Sequence, residues 1–96
     1  MFMSIKIYKA NCLDSCLRFG DLQILHLQGE LSTGDAKQVK FPFIFVDNNY
    51  SLIVGGNYGS TIDINNKYKD CCYLNVRGKN GYDTGKYELI AVGKFK

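Results

Sequence analysis

The feature that most constrains this chain is a two-residue rhythm. Apolar and polar residues alternate along most of it, broken at short intervals by Gly, Asn, Asp and Ser. Alternation places successive side chains on opposite faces of an extended strand, so period two marks strands and the punctuation marks turns. Residues 2–9 read as a first strand, with Ile5 and Ile7 on one face and Ser4, Lys6 and Tyr8 on the other. Residues 38–46 read as a strand with Val39, Phe41, Phe43 and Phe45 on one face. Pro42 has no N–H for a ladder, so that strand belongs at a sheet edge or carries a bulge.

Further strands are expected over residues 50–54, 60–64, 71–77 and 86–95. The turns between them are Asp47-Asn48-Asn49, a flexible Gly55-Gly56-Asn57-Tyr58-Gly59 loop, Asn65-Asn66-Lys67, and an Asn80-Gly81 hairpin signal. Two segments are ambiguous. Around residues 13–20, Leu13, Cys16 and Leu17 have helical spacing, which admits one short helix closing at Gly20. In residues 21–31, Leu22, Ile24 and His26 alternate with Gln23, Leu25 and Leu27, so both faces carry apolar side chains. That suits a strand buried on both sides or a helix; the Ser32-Thr33-Gly34-Asp35 cluster favours the strand.

The fold class that follows is mainly β: a small antiparallel barrel or sandwich of about seven short strands, with one short helix admitted near residues 13–20. Ninety-six residues make one compact domain over residues 1–96. The net charge of +3 argues against an acidic mimic of DNA and permits an acidic protein or nucleic-acid partner. The apolar runs at residues 41–46 and 52–54 are far shorter than the roughly 20 residues of a membrane span. Residues 1–9 lack the cationic and apolar regions of a leader, so a cytoplasmic location with reduced cysteines is expected.

The four cysteines fall in two close pairs, Cys12 with Cys16 and Cys71 with Cys72. A zinc site would use them with His26 as an alternative ligand, but adjacent residues on a strand point to opposite faces and fit one ion badly. Disulfides such as Cys16–Cys71 or Cys12–Cys72 would need an oxidising compartment. The preferred reading is that the thiols are small buried hydrophobes. No cofactor is expected.

Three functions remain. The leading one is a small intracellular, non-enzymatic binding protein that occupies a surface of a larger macromolecule, as a phage or mobile-element inhibitor of a host machine would. Tyr58, Arg77, Lys79 and Tyr82 are its candidate contact residues, because Tyr and Arg dominate interface hot spots. The second is a β-barrel that binds single-stranded nucleic acid through Lys67, Tyr68, Lys69, Tyr73, Arg77, Lys79, Tyr82, Lys86 and Tyr87. The third is a small enzyme pairing Cys71 or Cys72 with His26, or a zinc-stabilised domain. A protein partner is expected first, with nucleic acid second and no membrane. A dimer through an edge strand, such as the one carrying Pro42, is the expected route to self-association.

Overall fold

The computed structural model describes residues 5–9, 14–57, 59–77 and 84–96. The strands are β1 (Ile5–Lys9), β2 (Ser15–Phe19), β3 (Leu22–Ser32), β4 (Gly34–Lys40), β5 (Ser51–Asn57), β6 (Thr61–Tyr68), β7 (Cys71–Arg77) and β8 (Thr84–Lys94). All pairings are antiparallel and form two sheets, one in the order β1-β2-β3-β8-β5 and one in the order β4-β7-β6. The two sheets pack as an open sandwich, not a closed barrel. The spine is β3 against β8, paired from Leu22–Lys94 to Ser32–Thr84.

The expected all-β architecture is present, and the ambiguous residues 21–31 are a strand. Four local expectations are corrected. The admitted helix near residues 13–20 is β2, held by ladders to β1 and β3 on its two sides; tertiary pairing outweighs a weak helical spacing. Gly20 has φ 61° and sits in a two-residue hairpin between paired Phe19 and Leu22, where its freedom at positive φ is needed. It turns a hairpin rather than capping a helix.

The strand expected over residues 38–46 stops at Lys40. β4 is indeed a sheet edge, but Pro42 lies just beyond it in an irregular segment. That segment closes one end of the sandwich. Phe41 N–H donates to the Asp70 carbonyl, Phe45 N–H to Lys69, and Val46 N–H to Lys94. Its aromatic residues therefore plug the core without belonging to a ladder. Finally, Gly55, Gly56 and Asn57 are not loop but the end of β5, and the expected turn at residues 65–67 lies within β6, beside its bulge between Ile64 and Asn66.

Side chains alternate as the pattern requires. Gln23, Leu25 and Leu27 of β3 are buried with Tyr87, Leu89 and Ala91 of β8 and Cys16 of β2. Cys72, Leu74 and Val76 of β7 meet them from the other sheet, with Val39 and Ile62 beside. Phe45 stacks on Tyr50 with ring centroids 4.4 Å apart, and Phe41 meets both edge-on. Tyr50 fits because Gly93 lies beneath it: a Cβ there would come within 2.6 Å of the Tyr50 Cβ.

One buried polar group ties this plug to the sheet. Gln23 is fully buried; its Nε2 donates to the carbonyls of Phe43 (3.3 Å) and Ile44 (3.2 Å), and its Oε1 accepts from Arg18 Nε (2.9 Å). The Arg18 guanidinium lies over the rings of Tyr8, Phe43 and Phe95. Every buried polar atom of Gln23 is thus satisfied, which keeps its burial from costing stability.

Candidate interaction surface

The outward residues of the five-stranded sheet follow from the register. Ile7 of β1 faces Leu17 of β2, which faces Ile24 of β3, which faces Val92 of β8. A second row runs Ile5, Phe19, Leu22. A third runs His26, Ile90, Ile53. These rows alternate with the buried residues above, so they lie on the outer face. Ile7 is 67% exposed and Ile53 68%; Leu17, Leu22, Ile24 and Val92 are half-buried. Four strand spacings of about 4.8 Å make this apolar face about 19 Å across.

Polar groups gather at one end of it. His26 Nε2 lies 2.7 Å from Glu88 Oε2, and Gln28 Nε2 lies 3.5 Å from the same histidine nitrogen. Between this cluster and β5 is a shallow depression of about 170 Å³ lined by Ile53, Gly55, Glu88 and Ile90. Gly55 keeps its floor open, since a Cβ there would meet nothing within 4 Å.

Of the residues expected to make contacts, Arg77 ends β7 in the other sheet, exposed and paired with Asp35 at 2.8 Å. Tyr58, Lys79 and Tyr82 lie outside the described residues. The basic and aromatic set does not share one face. Tyr87 is in the core, Lys86 is on the outer side of β8, and Tyr68 and Tyr73 meet edge-on at 5.8 Å on the outer side of the three-stranded sheet. Lys67 is turned to the Tyr50 carbonyl, 2.8 Å away.

Cys16, Cys71 and Cys72 are buried free thiols, as the preferred reading expects, and none forms the disulfides considered above. Cys12 lies outside the described residues. Among the described residues no three His, Cys, Asp or Glu side chains converge as metal ligands. Burial pushes the Cys72 thiol up to about 12, with Cys71 adding to the effect, and raises the Cys16 thiol despite Arg18 beside it. Such thiols are protonated at neutral pH and are poor nucleophiles. His26 stands on the outer face of the opposite sheet from Cys71 and Cys72, so the structure does not bring these groups together.

The contact residues expected from the sequence, Tyr58, Lys79 and Tyr82 in or beside turns and Arg77 at a strand end, do not include this face. The signal for it was the pair of apolar faces on β3. The chain covers one of them; Leu22 and Ile24 on the other remain half open. No family model matches the chain, and no curated protein or solved structure shows significant similarity to it.

Proposed function

We propose that this chain is a small non-enzymatic binding protein that occupies a surface of a larger protein through the outer face of its five-stranded sheet. The observation that carries this reading is the outward-facing apolar row Ile7–Leu17–Ile24–Val92, with exposed Ile53 and Ile90 beside it. Burying one isoleucine side chain is worth about 1.5–3 kcal/mol. Leaving several in water forgoes stabilisation that a protein cover would return, and an exposed apolar patch rimmed by polar groups has the anatomy of an interface. The free buried thiols suit a reducing, cytoplasmic setting. Blocking a host machine, as a phage or mobile-element inhibitor does, is a use to which a compact surface cover lends itself.

The test is affinity capture from the source cell with three baits: the wild-type chain, an Ile53→Asp/Ile90→Asp variant, and Arg77→Ala. The expected result is a protein partner held by wild type and Arg77→Ala and released by the double variant. A partner that ignores the double variant but is lost with Arg77→Ala would move the site to the other sheet. Binding to single-stranded oligonucleotide that falls steeply with salt and ignores the double variant would replace the reading with nucleic-acid recognition.

A further inference from the structure

β1 stands at the end of the five-stranded sheet and pairs with β2 through all five of its residues. Only Tyr8 of β1 packs against the core. The other side of such a strand presents a row of backbone donors and acceptors, which is a template for another strand. Which strand fits is decided by the side chains Ile5, Lys6, Ile7, Tyr8 and Lys9.

These residues suit a copy of themselves. A two-fold axis perpendicular to the sheet pairs residues on the same face, so the axis must pass through one residue. Through Ile7, all five residues pair: Ile7 with Ile7, Lys6 with Tyr8 twice, and Ile5 with Lys9 twice. No like charges stand directly opposite each other, and each Lys6 ammonium lies across from an aromatic ring. Through Lys6, two lysines would stand directly opposite, which is destabilising. Through Tyr8, only residues 7–9 of β1 would pair. The charge pattern therefore selects the register that also has the greatest overlap. We infer that β1 is a self-pairing edge through which two copies of this chain join about Ile7 into one continuous sheet.

The same axis leaves both outer faces on one side. The apolar row Ile7–Leu17–Ile24–Val92 then runs into its counterpart, and nine strand spacings of about 4.8 Å widen the face to about 43 Å. One five-residue edge buries less surface than a permanent dimer needs, so the association is weak and reversible. This inference stands apart from the proposed function, since it concerns the edge of the sheet and not the cover on its face.

Sedimentation velocity on the full chain tests it, over concentrations rising into the millimolar range. A reversible monomer–dimer equilibrium is expected. Ile7→Lys and Ile7→Glu should each abolish the dimer, because each sets like charges on the axis, and an equimolar mixture of the two should restore it. Ile7 is 67% exposed, so both variants are expected to keep the wild-type circular dichroism. A wild type that stays monomeric, a dimer that survives in either variant, or a mixture that stays monomeric overturns the inference. Were both variants to unfold, amide shifts of the wild type on dilution would decide: changes confined to β1 and β2 support the paired edge, and changes elsewhere overturn it.

Discussion

The two sheets of this sandwich agree on their inner faces and differ on their outer ones. Outside the three-stranded sheet, polar side chains satisfy one another. Gln38 Nε2 donates to the Tyr73 hydroxyl, Asn66 Nδ2 to the Tyr68 hydroxyl, and Asn65 Nδ2 to Asn75 Oδ1, which also accepts from the Ala36 N–H. Outside the five-stranded sheet, isoleucine, leucine, valine and phenylalanine stand in rows. An antiparallel sheet commonly has one face on the core and one in water. The smaller sheet follows that arrangement. The larger one also carries apolar rows on its outer face, and among the described residues the other sheet covers its inner face alone. The difference separates what holds the fold together from what is left over for a partner.

The largest expected effect probes the inner faces. Leu25 and Leu74 are fully buried, one on each sheet. Replacing either by Ala should cost about 2–5 kcal/mol, from lost burial and the cavity left behind. Ile53→Ala on the outer face should shift stability by no more than about 0.5 kcal/mol. Urea unfolding of the three variants measures this directly. A cost for Ile53→Ala approaching that of the leucines would mean that the outer face is part of the core, and the contrast between the two surfaces would collapse.

Much of this architecture was legible in the chain because one physical signal, alternation, dictates it. The segments carrying β1, β7 and β8 show the pattern plainly, and the Ser32-Thr33-Gly34 cluster tips the ambiguous β3 segment towards a strand. What was not legible depends on contacts distant in sequence. Val39, Phe41, Phe43 and Phe45 alternate as a strand would, yet past Lys40 the backbone bonds to Asp70, Lys69 and Lys94, and no local pattern names those partners. β2 is short enough for a helical spacing to compete until its two neighbours are in place. The apolar outer face was half visible: β3 announced two apolar faces, but its alignment with Ile7, Leu17 and Val92 exists only once the register is fixed. Buried thiols could be expected from residue type alone.

Raising the pH tests the inner faces in another way. Burial holds the Tyr87 hydroxyl up to about 12 from an ordinary 10.0, and the Cys72 thiol up to about 12 from 9.0. Both groups are neutral acids whose folded pKa lies above the unfolded one. The unfolded chain therefore loses these protons first, and the stability they contribute is full below pH 9 and falls as pH rises towards about 12. Urea midpoints measured across that interval should decline, and Cys72→Ala and Tyr87→Phe should each flatten part of the decline. A midpoint that stays constant across it would show that these groups are not sealed between the sheets.

The smallest effect belongs to the polar surface. Arg77 Nη2 meets Asp35 Oδ1 at 2.8 Å, with both side chains more than half exposed. Water and salt screen such a pair, and holding two long side chains together costs entropy. Arg77→Ala should therefore cost between nothing and about 1 kcal/mol, and any cost should shrink as salt is raised. The measurement is the urea midpoint at low and high ionic strength, run beside Ile53→Ala. Two near-neutral results would show that neither outer surface holds the fold, so a partner lost only on replacing the isoleucines would mark the apolar face as the functional one. A salt-independent loss for Arg77→Ala well above 1 kcal/mol would instead make the polar surface part of the framework, joining β4 to β7 where the β4 ladder shifts register between Gly34 and Lys37.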